Sequence, residues 1–227
     1  LAIYNDAKSR GAAIIGLTTG GKLEELCKKD NNPCLKFPSG LPPRATLGYQ
    51  FFILLRSLEV MKIIKERTDD IEEAILMAET MQDKGETRML AEKIYNKIPI
   101  IFSSEWLEPV AYRWVTQLNE NAKMLAFNNT IPEQNHNQIT ALPNASENFF
   151  GIFIKDIDDN KKRFEFLKSI SPFGYSEVYT VGTSRLARMI SAICLGDWCS
   201  YHAALLRKVD PMQVDVIERL KRYLEEK

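Results

Sequence analysis

The chain reads as two doubly wound α/β domains, each a parallel sheet covered by helices. Three observations point to this class. Short apolar runs alternate with amphipathic helical segments, the pattern of successive βαβ units. Those runs show little polar–apolar alternation, as strands covered on both faces do. The rhythm breaks into a long helical stretch and then restarts. Residues 1–66 are therefore read as an incomplete first domain, and 67–227 as linker helices followed by a second domain.

The first domain opens on helix 2–10, with apolar or small residues at 1, 3, 4 and 7 and a stop at Arg10-Gly11. Leu1 is not an initiator methionine, so the chain reads as beginning inside an element, with an N-terminal portion missing. An apolar run over 12–17 predicts a strand, residues 18–21 (TTGG) a turn, and KLEELCKKD a charged helix. Residues 34–37 predict a second strand, followed by the Pro-rich loop 38–43. From Arg44 the segment ATLGYQFFILLRSLEVMKIIKE is nearly all apolar and predicts a buried helix. Thr68 starts another, with acidic residues in its first turn, and residues 85–97 form a further charged helix.

The second domain repeats the rhythm. Strands are predicted at 98–102, 124–127, 148–154 and 177–181, with helical segments at 108–119, 134–142 and 163–170 and a turn at 158–162. Gly182 to Arg185 opens a long helix through Leu206. Asp210-Pro211 reads as cap and first position of a last helix.

Formal net charge is zero, so nothing electrostatic favours nucleic acid or a membrane surface. No apolar run reads as long enough to span a bilayer; the best, 51–58, is interrupted by Arg56. Cys27, Cys34, Cys194 and Cys199 match no zinc or C-x-x-C spacing. Without a recognisable signal peptide they are read as reduced thiols of a cytosolic protein, a Cys27–Cys34 bridge being the alternative.

Several residues are candidates for chemistry, each beside a plainer reading. The TTGG turn can present backbone N–H groups to an anion, or be an ordinary βα turn. Arg44, after two prolines, can hold an oxyanion or phosphate, or simply make a salt bridge. Glu120 can be a general base, or a solvated helix-end carboxylate at the unfavourable end of the dipole. His136 can shuttle protons, or decorate a polar turn. Lys221 reads by default as the solvated face of the last helix. His136 and His202 lie far apart in the chain with no clustered carboxylates or thiols, which argues against a metal site.

RGAAIIGLTTGGKLEEL, FPSGLPPRATLGYQFF, EPVAYRWVTQLNENAK, PEQNHNQI, GTSRLARMISAICLGDW and DPMQVDVIERLKRYL occur in this order along nearly the whole chain. Together they resemble the bifunctional phosphoglucose/phosphomannose isomerases, proteins of two tandem sugar isomerase (SIS) domains with a flavodoxin-like fold. ENAK followed by PE-x-x-HN is the most specific pair. The resemblance implies an aldose–ketose isomerase that interconverts glucose 6-phosphate or mannose 6-phosphate with fructose 6-phosphate. It carries the family's catalytic glutamate onto Glu120, its histidine onto His136, its late lysine onto Lys221 and its arginine onto Arg44. Glu133 is not the catalytic glutamate by this match. Glu120 would move a proton between C2 and C1 through a cis-enediol, Arg44 would stabilise the enediolate, and His136 with Lys221 would open the sugar ring.

No metal or redox cofactor is implied. The implied partners are a sugar phosphate substrate and a second copy of the chain, with the histidine lent across the dimer interface. Two departures from the family pattern stand out. The family's Ser/Thr-rich phosphate loop falls before Leu1, and Thr140-Ala-Leu-Pro replaces the usual continuation after HNQI. A non-catalytic sugar-phosphate-binding SIS protein or a degenerate isomerase-like protein is the alternative.

Overall fold

A computed structural model of the protein describes residues 1–82, 85–157, 159 and 161–225. The chain divides into two units, Leu1–Arg67 and Thr68–Lys227.

In the first unit, β1 (Gly16–Thr18) pairs in parallel with β2 (Cys34–Lys36). Helix α1 (Ala2–Ser9) precedes β1 and α2 (Gly21–Lys29) crosses between the strands. Tyr4 fastens α1 to the end of α2. Its buried hydroxyl donates to the Asp30 carboxylate at 2.9 Å and accepts from the Asn32 amide at 2.9 Å. A 3₁₀ turn at Pro43–Thr46 leads into α3 (Leu47–Val60). The apolar composition of this helix predicts burial, but none of its residues is buried and Phe51, Leu54 and Val60 are exposed. An apolar sequence specifies that a helix needs a cover; a two-stranded sheet offers too small a surface to supply one.

The second unit is built on four strands in the order β4-β3-β5-β6, all parallel: β3 (Ile98–Ser104), β4 (Phe127–Ile131), β5 (Phe149–Lys155) and β6 (Tyr175–Tyr179). Its helices are α4 (Thr68–Thr80), α5 (Glu86–Ile94), α6 (Glu108–Ala122), α7 (Lys161–Ile170), α8 (Arg185–Leu206) and α9 (Asp215–Glu225). β3 and β5 are buried almost throughout, and their alternate residues feed two separate cores. Ile101, Ile152 and Ile154 pack with Trp114, Leu118, Ala192 and Cys199 under α5, α6 and α8. Ile100, Phe102 and Phe153 pack with Phe164 and Leu167 of α7 on the other face.

On the first face, Arg113 of α6 grips Asp197 of α8 through two nitrogens, at 3.1 and 2.7 Å, and Gln117 adds a third bond at 3.0 Å. By length and composition α8 is long enough and apolar enough to cross a membrane, which corrects the expectation that no such segment exists. Here it is the central core helix, with α4, α5 and α6 packed against it.

Several boundaries move; the strand expected at 12–17 is Gly16–Thr18. The strand expected at 124–127 lies at Phe127–Ile131. Lys123 takes a left-handed conformation (φ 53°) and the Met124 N–H returns to the Leu118 carbonyl at 3.1 Å, so residues 124–126 cap α6 instead of pairing. The strand expected at 177–181 lies at Tyr175–Tyr179. Beyond it, the Thr180 hydroxyl turns to Asp156 (2.6 Å) and the Val181 N–H to Ser191 (2.8 Å). The last helix starts at Asp215 rather than Pro211, because the Asp210 carboxylate closes a turn on the Met212 N–H at 2.7 Å. The segment 134–142 is a series of 3₁₀ turns. Asp158 and Asn160 of the expected turn lie outside the described residues.

Candidate active site

Glu120 sits in the last turn of α6, half-buried. The polar residues around it hold the helix end in place. Asn119 accepts the Ala126 N–H at 3.1 Å, and Asn121 donates to Ser200 of α8 at 2.9 Å. The Lys123 ammonium donates to three carbonyl oxygens: Glu120 at 2.8 Å, Asp210 at 2.8 Å and Gln213 at 2.7 Å. The ENAK motif is thus a joint, fixing the Glu120 backbone and docking the segment that leads to α9.

His136 ends the 3₁₀ turn Glu133–His136 and its side chain is exposed. The turn is knotted by amide side chains. Asn137 donates to Glu133 (3.1 Å), Asn129 donates to Gln138 (3.1 Å), and Arg163 of α7 donates to Asn135 (2.9 Å). Gln134 is fully buried, and its side-chain amide finds no partner among the described residues. Beside this turn lies a cleft of about 350 Å³ lined by Asn135, Ile139, Lys162, Arg163 and Phe166.

The two residues lie beyond opposite ends of the edge strand β4. α6 runs back from the end of β3, so Glu120 is at the end of the sheet where β4 begins, whereas His136 follows the end of β4. A five-residue strand about 17 Å long separates them. Within one chain a strand carries His136 away from Glu120.

Lys221 lies on α9, exposed, in an ion pair with Glu218 at 2.7 Å. No residue of α9 is buried, and Val216, Ile217, Leu220, Tyr223 and Leu224 are exposed. Arg44 lies in the 3₁₀ turn that opens α3, in the other unit, half-buried. The TTGG turn is closed by its own side chain: the Thr18 hydroxyl accepts the Gly20 N–H at 3.1 Å and donates to the Gly20 carbonyl at 2.8 Å. Among the described residues no group of three His, Cys, Asp or Glu side chains could hold a metal ion.

Sequence reasoning missed the clamps. Glu73 of α4 accepts the Thr183 N–H (2.6 Å), the Thr183 hydroxyl (2.8 Å) and the Ser184 N–H (2.9 Å), filling the N-terminus of α8 with a carboxylate. The Thr183 backbone bond foremost, then the Ser184 and remaining Thr183 bonds, lower the Glu73 pKa to about 2. Asp156, at the end of β5, pairs with the buried Arg188 at 2.9 Å. None of these pairs has a local signal, because each joins residues more than thirty positions apart in the chain.

Residues 83–224 match the family described as bacterial phospho-glucose isomerase C-terminal SIS domain. Over its full length the chain is 38% identical to the bifunctional phosphoglucose/phosphomannose isomerase of Caldicellulosiruptor bescii, covering 72% of that protein. It is 36% identical to the protein of the same name from Thermoplasma volcanium, with 99% of this chain and 73% of the relative aligned. In fold it is similar to a crystal structure of a glucose-6-phosphate isomerase like protein from Thermus thermophilus, with a TM-score of 0.62 and 20% identity over 92% of this chain and 76% of that one. The parallel sheet, its helical layers and these matches define an SIS-domain isomerase. The chain belongs to the family of bifunctional phosphoglucose/phosphomannose isomerases.

Proposed function

We propose that the protein interconverts glucose 6-phosphate and mannose 6-phosphate with fructose 6-phosphate, and that each site is shared between two copies of the chain. In this reading residues 1–66 belong to a first SIS domain and 67–227 hold the linker helices and the second. The observation that carries the shared site is the placement of Glu120 and His136 beyond opposite ends of strand β4. A side chain at each end of the strand serves one substrate only if a second copy brings its own opposite end alongside, as a twofold, self-complementary interface does.

The chemistry assigned to the residues follows from their types. After ring opening, the proton on C2 is acidified by the adjacent aldehyde. Glu120 removes it, leaving a cis-enediol(ate), and returns it to C1 to give the ketose. C2 is planar in that intermediate, so protonation from either face at C2 in the reverse direction yields the glucose or the mannose epimer. Arg44 stabilises the oxygen on which negative charge develops. His136 and Lys221 serve ring opening, which needs a proton given to the ring oxygen and one taken from the C1 hydroxyl. No step calls for a metal or redox cofactor, and the protein works in the cytoplasm.

Subunit mixing tests this. Glu120→Gln and His136→Ala should each be inactive alone toward all three sugar phosphates. Mixed, unfolded together and refolded, they should regain roughly a quarter of wild-type activity, because random pairing gives half heterodimers with one intact site of two. No recovery, with both variants folded and dimeric, would overturn the shared site. Wild-type turnover by Glu120→Gln would remove Glu120 as the base, and sugar phosphate binding by the wild type without exchange of the C2 proton would leave a binding protein.

A further inference from the structure

In the first unit, β1, β2 and the end of α2 meet over Gly16. Gly16 is the ladder partner of Cys34, and Cys27 of α2 packs against it. A β-carbon on Gly16 would fall 2.5 Å from the Cys27 sulfur and 3.6 Å from the Cys34 sulfur. The two sulfurs therefore converge on one point, and a side chain at residue 16 would drive between them. Both cysteines are free thiols; Cys27 is fully buried and Cys34 is half-buried.

We propose that Cys27 and Cys34 form an oxidation site that takes a peroxide and closes to a disulfide. Exposure decides the order of events. Cys34, the more exposed of the two residues, attacks the peroxide first. A sulfur–oxygen bond forms, the O–O bond breaks, and hydroxide leaves as water, giving a sulfenic acid on Cys34. Cys27 then attacks that sulfur. The S–S bond forms, the S–O bond breaks, and a second water leaves. Two thiols lose two electrons and one hydrogen peroxide becomes two waters.

Cys27 is suited to the resolving role. Burial, and next the neighbouring Cys34 sulfur, push its thiol up, so it does not react with peroxide itself. Cys199 contrasts with this pair: it is fully buried in the second unit and its thiol is pushed up to about 12 by burial alone. The bond would tie the end of α2 to the start of β2 and brace the strand that ends in the TTGG turn.

The test uses the folded wild-type protein, hydrogen peroxide and peptide mapping. Lys22, Lys28, Lys29 and Lys36 let trypsin release Leu23–Lys28 and Asp30–Lys36 as separate peptides. After peroxide treatment and blocking of remaining thiols, the two should appear joined, lighter than their sum by two hydrogens, and part again on reduction. Cys34→Ser should leave Cys27 unmodified by the same treatment. Cys27→Ser should accumulate sulfenic and sulfinic acid on Cys34. The proposal is overturned if folded wild-type protein carries sulfinic acid on Cys34 with Cys27 still a thiol, if the disulfide forms with Cys194 or Cys199 instead, or if both thiols survive the peroxide.

Discussion

The Lys123 ammonium donates to the Asp210 carbonyl oxygen at 2.8 Å and so joins the end of α6 to the segment that leads into α9. It makes the same kind of bond to Glu120 and Gln213. These bonds are exposed, so water can replace them and each contributes only about 1 kcal/mol. Lys123→Met should leave the unit folded while releasing residues 210–225. Hydrogen exchange by mass spectrometry should show faster exchange in α9, with α6 and α8 unchanged. Lys123→Gly, which accepts the left-handed backbone but has no ammonium, should do the same. Unaltered exchange of α9 in both variants would mean that other contacts hold it.

Gly196 lets α6 and α8 come together. A β-carbon there would lie 2.4 Å from Trp114 Nε1 and 2.5 Å from its Cε2. The Trp114 N–H donates to the Ala192 carbonyl at 2.9 Å, so the indole cannot retreat without losing that bond. Alanine is the better helix former by about 1 kcal/mol. Overpacking should nonetheless win, and Gly196→Ala should lower stability by roughly 1–3 kcal/mol in urea unfolding. An equal or higher midpoint would show that the indole shifts freely.

The cap that Glu73 places on α8 is sensitive to acid. Its native pKa is about 2, against 4.5 ordinarily, so the cap's stabilisation is complete above the unfolded value and is lost as pH falls from there toward about 2. Glu73→Gln should be less stable than wild type at neutral pH, and the gap should narrow steadily as the solution is acidified below the ordinary carboxylate range. Thermal unfolding at a series of pH values reads this directly. A gap that stays constant with pH would mean that the carboxylate's charge does nothing for the cap.

The strands and helices of the second unit were legible because local pattern sets them. Continuous apolar runs made β3 and β5, and Ser184 closed the N-terminus of α8 through its bond to the Ala187 N–H. The errors fell where composition alone does not decide the outcome. Residues 124–126 look like a strand by composition, but the left-handed Lys123 turns them across the end of α6. α3 has the composition of a buried helix and is not buried. The candidate residues were legible only through the resemblance, since Glu120, His136 and Lys221 read one at a time as ordinary helix-end, turn and surface residues.

Periodicity and motifs contiguous in the chain were enough to settle the α/β class, the order of elements and the family. Where those motifs stand relative to each other needed the folded molecule. Glu120 and His136 are close in sequence, yet β4 lies between them, and a strand carries the chain from one end of the sheet to the other. The converse holds for Lys123 with Asp210 and Glu73 with Ser184, which are distant in the chain and meet in the fold. Each pairing rests on a short contact between segments that the chain keeps apart, and such a contact forms only once the fold has brought them together.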